Sequence, residues 1–409
     1  MHGCVLWNSK SFLTRTKEKP FSLCTNNHIS TLVTWEDKRC SDEFLSSLPD
    51  SSLHIASGYG CATIFWLHQH MPDYFEQYDC AGTVMDFLVS YLIASEFANI
   101  STQNACSWGY YDQEKNNGNL KSKSLRPGGT YRRCNHVGRD VWILIKANFP
   151  VHILPTICEP GHIAGKLSHK WHEIHEGVNV FVALGDMQCS ILATQAQHMD
   201  VVLNIGTSAQ LAVVIADTFK VEIYKEIQSK KALQILPYFS NNSLIVAAAL
   251  NGGNVLATFV NMLENWMRDL GVEPPSHEEI YDKLLACAIT SQKDVSQLKV
   301  DPILWGERHA TNKRASVVDI TMESLSLGNV YKSVCSGILY NVRGMFGDFF
   351  EKHEVRSIFG TGNALLKNNV LCATLQEIFC NKPVKFVDTN AAIGAAMSAV
   401  LCCGETLMT

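Results

Sequence analysis

The chain has 409 residues, and its 46% hydrophobic and 18% charged content is typical of a globular protein with two or three domains. Its formal net charge of -5 argues against a broad surface for nucleic acid or membranes. Its 15 cysteines include no Cys-x-x-Cys pair, and the N-terminus lacks a signal-peptide pattern. We therefore expect a cytoplasmic enzyme with reduced thiols and no zinc site of its own.

The first part of the chain predicts short elements separated by turns. A strand-like run spans Ser30 to Trp35, a helix covers Ala62 to Leu67, Met71-Pro72-Asp73 marks a new start, and a longer helix runs from Thr83 to Phe97. Residues 113–147 combine turn dipeptides with basic side chains. This stretch could contact an anion or a partner, but its composition favours a solvated surface insertion.

From residue 178 onward the pattern is that of an α/β protein, in which strands alternate with helices. The predicted strands are Val178–Ala183, Val201–Ile205, Leu211–Ile215, Leu244–Leu250, Val355–Phe359 and Val384–Val387, and the first of them is predicted to be buried. Helices are predicted from a cap at Asn254 to Leu270 with Gly271 at its end, over residues 329–352, up to Phe379, and from Asn390 onward.

Three glycine turns follow three strands that are predicted to be buried. They are Gly206-Thr207-Ser208, Asn251-Gly252-Gly253 and Gly360-Thr361-Gly362-Asn363. Glycine lets the backbone approach a ligand, and backbone N–H groups at a helix start favour phosphate. One such turn is weak evidence, but three at the carboxyl ends of strands predict a nucleotide site. None of them fits the P-loop or the Rossmann fingerprint.

Asp186 is the strongest candidate for a catalytic side chain. It follows a predicted strand and Gly185, so its carboxylate would project from the end of that strand. A carboxylate there can accept a proton from a hydroxyl whose oxygen attacks a phosphoryl group. It can equally cap the helix that follows. The residues alone leave both interpretations open.

Two further segments carry charged side chains next to apolar ones. Trp35, Asp37 and Arg39 alternate beside the strand-like run, and alternation would place them on one face. Such a face suits a polyol ligand, although a solvated strand end explains the pattern more simply. Gly306-Glu307-Arg308 could form a buried ion pair or contact a ligand, and the residues do not decide between the two.

Taken together, these motifs resemble those of the FGGY carbohydrate kinase family. The similar segments are Trp35-x-Asp37-x-Arg39, Gly185-Asp186-Met187-Gln188, Asn204-Ile205-Gly206-Thr207-Ser208, Leu304-Trp305-Gly306-Glu307-Arg308, Gly360-Thr361-Gly362-Asn363-Ala364 and the run from Asn390 to Ala396. Thr361 and Asn363 depart from the family's loop. Longer runs, such as His28 to Phe44 and Leu250 to Val260, are most similar to members that phosphorylate the seven-carbon ketose sedoheptulose.

The resemblance implies an α/β protein with the actin-like ATPase fold, in which two ribonuclease-H-like domains enclose an ATP cleft. Residues 1–197 would form the sugar-binding domain, and residues 198–409 the nucleotide-binding domain. The implied reaction uses ATP and Mg²⁺ to convert sedoheptulose to its 7-phosphate in the pentose phosphate pathway. The implied partners are a sugar and ATP, with no nucleic acid and no membrane.

The same resemblance assigns roles to individual residues. Asp186 is the implied general base. The implied nucleotide contacts are Gly206, Thr207, Ser208, Gly252, Gly253, Gly360, Gly362 and Asn363. The implied sugar contacts are Met1, His2, Trp35, Asp37 and Arg39, because Met1-His2-Gly3 also resembles a sugar-contacting Met-His-Gly segment of the xylulose-type members.

The chain also departs from the family pattern. The family begins with an Asp-x-Gly-Thr-x-Ser turn that holds metal and phosphate, and the 409 residues contain no such motif. Thr102 stands where an aspartate is expected, and the stretch from Arg126 to Trp142 has no counterpart. These departures predict a kinase that lacks its first strands, binds ATP weakly and phosphorylates its sugar poorly.

Two other functions stay open on the sequence. The missing Asp-x-Gly-Thr turn favours a non-catalytic remnant that binds a sugar or a nucleotide. The glycine turns would also serve a kinase for another sugar, such as xylulose or glycerol, and only the longer runs argue for sedoheptulose.

Overall fold

The structure is a computed structural model that describes residues 3–10, 28–51, 55–111, 141–227, 230–291 and 298–403. Its internal contacts divide the chain into two units. Unit 1 consists of Met1–Cys189 together with Gly394–Thr409, and unit 2 is the continuous segment Ser190–Ile393.

A three-stranded sheet lies at the centre of unit 1. Its middle strand, β1 (Gly3–Trp7), is buried along its whole length because antiparallel partners flank it on both sides, β2 (Val33–Thr34) and β3 (Cys80–Gly82). Trp7 is fully buried and meets the ring of Phe87 edge-on, with the two centroids 5.4 Å apart. These contacts anchor the small apolar core of this sheet.

The other strands of unit 1 form two pairs, β4 (Asn99–Ser101) parallel to β5 (Thr156–Cys158), and β6 (Ile163–Lys166) antiparallel to β7 (Asn179–Phe181). The described helices up to the unit boundary are α1 (Asp42–Ser47), α2 (Gly60–His70), α3 (Pro72–Phe75), α4 (Val84–Leu92), α5 (Thr102–Cys106) and α6 (Val141–Lys146), and α7 (Asp186–Ala193) crosses that boundary. The helix predicted at residues 62–67 is confirmed as part of α2, and α3 starts where Pro72 predicts.

Unit 2 is built on a six-stranded sheet with the order β10-β11-β9-β8-β14-β15. Its strands are β8 (Val201–Ile205), β9 (Ala209–Ile215), β10 (Leu233–Pro237), β11 (Ser243–Ala249), β14 (Ile358–Thr361) and β15 (Val384–Phe386). A separate hairpin pairs β12 (Lys299–Asp301) with β13 (Ser316–Val318). The strands predicted near residues 201, 211, 244 and 384 are all confirmed.

The remaining helices are α8 (Lys220–Ile227), α9 (Gly253–Asp269), α10 (His277–Thr290), α11 (Leu327–Gly344), α12 (Phe349–Lys352), α13 (Asn363–Leu366), α14 (Asn369–Ile378) and α15 (Ala391–Cys402). Tyr331, Cys335 and Ile338 of α11 are fully buried and belong to the same apolar core as Val201 and Val213 of the sheet. Burial of this continuous apolar surface stabilises unit 2.

Several predicted boundaries are wrong for local reasons. The helix predicted from Thr83 to Phe97 ends at Leu92, because Ala94 adopts a positive φ of 50°. The helix predicted over residues 329–352 is interrupted between α11 and α12, where Gly347 has a φ of +58°.

Two other predictions in unit 1 need correction or lie outside the described residues. The strand predicted to be buried at residues 178–183 is only partly so, because β7 belongs to a two-stranded sheet; Val178 is 47% exposed, whereas Val182 is 2% exposed. The surface insertion predicted at residues 113–147 falls largely on residues 112–140, which lie outside the described ranges, and its described end forms α6.

Candidate active site

The three glycine turns lie at one edge of the six-stranded sheet of unit 2. β8 runs parallel to β14, and β11 has the same direction because both β8 and β11 are antiparallel to β9. The carboxyl ends of these strands therefore meet at one edge, where Gly206, Gly252 and Gly362 follow them. Ligands of open α/β sheets bind at this kind of edge.

The first two turns contact each other through their backbones. Gly253 donates its N–H to the carbonyl oxygen of Gly206 over 3.0 Å. A Cβ atom at Gly252 would collide with the backbone of Ser208, and one at Gly253 would collide with the carbonyl of Gly206. This close approach is possible only because neither residue has a side chain.

The third turn packs against the first in the same way. Gly362 has a φ of +97°, and a Cβ atom there would collide with the side chain of Asn204. Gly360 is buried within β14, where an added Cβ atom would lie 2.8 Å from the ring of Phe386 and 2.9 Å from the side chain of Leu365. Gly362 therefore belongs to the contact between turns, while Gly360 packs beneath them.

Open space remains beside Gly206. Among the described residues, no heavy atom outside its chain neighbours lies within 4 Å of a Cβ atom placed there. Thr207 and Asn363 are exposed, and Ser208 is half-buried. The 17-residue helix α9 begins at Gly253, next to this space. A helix N-terminus and nearby backbone N–H groups together can bind the oxygens of a phosphate.

Asn254 does not cap α9 as predicted. The helix already starts at Gly253, so Asn254 lies inside its first turn. Its Oδ1 accepts a hydrogen bond from the N–H of Gly252 over 2.8 Å, and its Nδ2 donates to the carbonyl of Leu250 over 2.9 Å. Asn254 therefore closes the turn itself, whereas Gly271 does end the helix, with a φ of +73°.

A buried network that the sequence did not predict supports the second turn. Glu307 is 1% exposed and Asn251 is fully buried. Asn251 donates Nδ2 to Glu307 Oε1 over 2.8 Å. The hydrogen-bond partners of Glu307 are neutral amides and a backbone N–H, so these contacts are not the buried ion pair considered for it. The only sign of this network in the sequence was the amide side chain of Asn251, directly before Gly252-Gly253.

Asp186, in unit 1, is the first residue of α7 and is exposed. Its Oδ1 accepts a hydrogen bond from the N–H of Met187 over 2.9 Å. The helix dipole favours a negative charge at this position. Asp186 lies one residue beyond the usual N-cap position, and its exposure leaves the carboxylate accessible to a hydroxyl group.

Buried amide side chains hold the backbone that leads to Asp186. Gly185 donates its N–H to Gln103 Oε1 over 3.0 Å, and Asn104 donates Nδ2 to the carbonyl of Ala183 over 3.4 Å. Gln103 and Asn104 are both fully buried. The pair therefore fixes the course of the chain immediately before the candidate base.

Trp35, Asp37 and Arg39 do not alternate along a strand, because β2 ends at Thr34 and Trp35 lies in a turn. Arg39 nevertheless pairs with Asp37, with Nε 2.8 Å from Oδ1 and Nη2 3.0 Å from Oδ2. The guanidinium lies 5.3 Å from the ring centroid of Trp66. Hydrogen bonding from Arg39 lowers the pKa of the Asp37 carboxyl.

The other predicted sugar contacts, Met1 and His2, lie outside the described residues. Arg39 also borders a small recess of unit 1, which is lined by Cys4, Leu6, Ser30, Thr31, Val33, Leu67 and Tyr74. Thr102, which replaces an aspartate of the family pattern, is 3% exposed and begins α5.

Within the described ranges, no group of three or more His, Cys, Asp and Glu side chains is arranged to hold a metal ion. No helix among the residues that the structure describes is both long and apolar enough to cross a membrane.

The chain has two curated relatives at 40% identity. The sedoheptulokinase of Homo sapiens matches over 401 residues, which are 97% of this chain and 78% of the human protein. The sedoheptulokinase of Mus musculus matches over 402 residues, which are 97% of this chain and 79% of the mouse protein. No protein-family model matches the chain.

Solved structures with a similar fold include kinases for xylulose, gluconate and glycerol. The xylulose kinase of Rhodospirillum rubrum superimposes with a TM-score of 0.73 at 15% identity, covering 100% of this chain and 75% of that one. The gluconate kinase of Lactobacillus acidophilus gives 0.70 at 17% identity, covering 100% and 75%. Plasmodium falciparum glycerol kinase with ADP gives 0.70 at 12% identity, covering 98% and 73%.

Proposed function

Because this chain belongs to the FGGY carbohydrate kinase family, whose sedoheptulokinases it matches along 97% of its length, we propose that it transfers the γ-phosphoryl group of ATP to the 7-hydroxyl of sedoheptulose. The predicted family and the predicted actin-like ATPase fold are confirmed, as is the prediction of an ATP-dependent carbohydrate kinase. The choice of sugar rests on the 40% identity to the human and mouse enzymes.

The glycine turns of unit 2 support nucleotide binding there. In this proposal backbone N–H groups of the first and third turns bind the phosphates, and Thr207, Ser208 and Asn363 contribute side-chain donors. The N–H groups of Gly206 and Gly253 are not among them, because they donate to the carbonyls of Ser208 and Gly206. The open space beside Gly206 and the start of α9 at Gly253 suit an anionic ligand. Gly252 and Gly360 serve by letting the turns pack closely.

A Mg²⁺ ion fits such a site, because phosphate oxygens and water supply most of its ligands in kinases. When bound, the ion neutralises charge on the phosphates.

Asp186 is the proposed general base. Its carboxylate accepts the proton of the 7-hydroxyl as that oxygen forms a bond to the γ-phosphorus. The bond between the γ-phosphorus and the β,γ-bridging oxygen breaks, and ADP leaves with the electron pair. The exposure of the carboxylate and its rigid backbone, held by Gln103, support this role.

The sugar-binding residues are proposed to lie in unit 1. The paired Asp37 and Arg39 offer an acceptor and a donor for hydroxyl groups, next to the ring of Trp66. Trp35, Met1 and His2 stay predicted contacts. Residues 1–197 would then form the sugar-binding part and residues 198–409 the nucleotide-binding part.

The test is ADP release with sedoheptulose, xylulose, gluconate and glycerol as acceptors. It uses this chain and a version that carries an added N-terminal Asp-x-Gly-Thr segment. We expect the highest kcat/KM with sedoheptulose in whichever version turns over faster, and phosphorus NMR should place the product phosphate on the 7-oxygen. Preference for another acceptor, or no turnover by either version, would contradict the proposal.

A further inference from the structure

Glu307 is a buried carboxylate with neutral hydrogen-bond partners. Its Oε2 accepts from the N–H of Leu250 over 2.8 Å, and its Oε1 accepts from Nδ2 of Asn251 and Nδ2 of Asn341, each over 2.8 Å. The side chain is 1% exposed. Burying a charged group is costly even when it is hydrogen-bonded, so a fully apolar cluster, with the donors of Glu307 replaced as well, would stabilise such a site at least as well. Its presence indicates a role beyond folding.

The backbone turn that carries Glu307 holds its carboxylate in place. Glu307 and Ala310 exchange backbone hydrogen bonds of 3.1 and 2.9 Å in a tight turn. Gly306 enters this turn with a φ of +74°, and a Cβ atom there would lie 2.5 Å from the carbonyl oxygen of Thr311. The position of the carboxylate is therefore set by backbone geometry.

Asn251 connects this segment to the second glycine turn. Besides contacting Glu307, its Nδ2 donates to the carbonyl of Gly306 over 2.9 Å, and its Oδ1 accepts from the N–H of Leu304 over 2.9 Å. Asn251 is fully buried. The amide thus spans the gap between the 304–307 segment and the residue that precedes Gly252.

The second glycine turn also fixes the position of the first. Gly253 donates to the carbonyl of Gly206, and Asn254 donates to the carbonyl of Thr207, both over 3.0 Å. A shift of Leu250 or Asn251 would therefore move the backbone of the first turn, which lies beside the open space at Gly206.

We propose that Glu307, acting through Asn251 and the N–H of Leu250, is a positioning residue that fixes the backbone of the glycine turns in the geometry that binds nucleotide phosphates. The proposal rests on the proposed nucleotide site of unit 2, but not on the identity of the sugar.

The experiment compares Glu307→Gln with Asp200→Asn in the full chain. Asp200 is also a buried carboxylate of unit 2, 4% exposed, and it accepts from the N–H of Gln197 over 2.8 Å at the opposite end of β8. Both substitutions replace a carboxylate by its amide. Titration with a fluorescent ADP analogue gives Kd, and hydrogen exchange reports on the backbone of residues 250–254 and 206–208.

For Glu307→Gln we expect Kd to rise about tenfold, because an amide cannot accept all three hydrogen bonds of the carboxylate. Exchange should become faster in both turns, and in the sugar assay the KM for ATP should rise while the KM for sugar stays constant. Asp200→Asn should change none of these values, even if it lowers the midpoint of unfolding as much as Glu307→Gln does.

Two results would overturn the proposal. If Glu307→Gln binds the ADP analogue like the unsubstituted chain, with unchanged exchange in the turns, Glu307 has only a structural role. If the unsubstituted chain itself shows no binding of the analogue at millimolar concentration, the nucleotide site fails and the positioning role fails with it. Failure of sedoheptulose phosphorylation alone, with ADP bound normally, would overturn only the proposed sugar.

Discussion

Asp186 and Asp42 share the same local position, since each is an exposed first residue of a helix in unit 1. Comparing the same substitution at both positions therefore distinguishes a catalytic role from the effect of a charge at a helix start. We expect Asp186→Asn to lower kcat about 10²- to 10⁴-fold, the usual contribution of a general base. Asp42→Asn should leave kcat unchanged. Coupled ADP release measures kcat for both variants. Full activity of Asp186→Asn would exclude the base.

The pair of Asp37 and Arg39 predicts a pH dependence of stability. The pKa of Asp37 is lowered from 3.8, chiefly by the hydrogen bond from Arg39, so its stabilising contribution is present above pH 3.8 and is lost as the pH falls through the lowered pKa. Because the side chains are 22% and 27% exposed, the contribution is under about 1 kcal/mol.

Urea unfolding of the unsubstituted chain and Asp37→Asn at several pH values tests this contribution. The two free energies of unfolding should differ at pH 7 and converge as the pH falls below 3.8. A difference that stays constant with pH would show that the pair does not shift the pKa of Asp37.

At the scale of elements, Gly206 and Gly344 form a matched pair. Neither has a described heavy atom within 4 Å of an added Cβ, apart from chain neighbours and, for Gly344, its own helix. Gly206 directly follows β8 at the proposed phosphate site, whereas Gly344 is the last residue of α11. Both alanine variants should fold. Only Gly206→Ala should weaken ADP binding, about tenfold, because its methyl group occupies the phosphate space.

Titration with the fluorescent ADP analogue measures the difference between these two variants. Gly344→Ala should bind normally, and its stability should be equal or higher by up to about 1 kcal/mol. Equal affinity of the Gly206→Ala variant would show that phosphate lies elsewhere.

The sequence predicted the strands and glycine turns of unit 2 better than it predicted the segment from Trp35 to Arg39 in unit 1. Strands β8 and β11 are largely apolar and are followed within three residues by Gly206 and Gly252, and both signals are local. Asp37 and Arg39 were predicted to share one face of a strand and not to pair with each other. Because β2 is only two residues long, the predicted alternation failed. The network of Glu307, Asn251 and Asn341 joins residues distant in sequence, and no local pattern reports such contacts.

At the scale of the whole molecule, unit 1 is completed by α15, the last described helix. A Cβ atom at Gly394 of this helix would collide with the backbone of Cys189. We expect Gly394→Ala to lower the free energy of unfolding by about 1–3 kcal/mol through this overpacking. Urea unfolding measures the loss, with Gly344→Ala as the control. An unchanged midpoint would mean that α15 can shift without cost.

The return of α15 to unit 1 also sets an order for folding during synthesis. A ribosome releases the chain from its N-terminus, so all of Ser190–Ile393 emerges before the segment Gly394–Thr409. Unit 2 can therefore complete its core while unit 1 still waits for its final helix. Nascent chains stalled through a linker that exposes residue 393 outside the ribosome should hold a protease-resistant unit 2 and a protease-sensitive unit 1, because α15 is not yet available to unit 1.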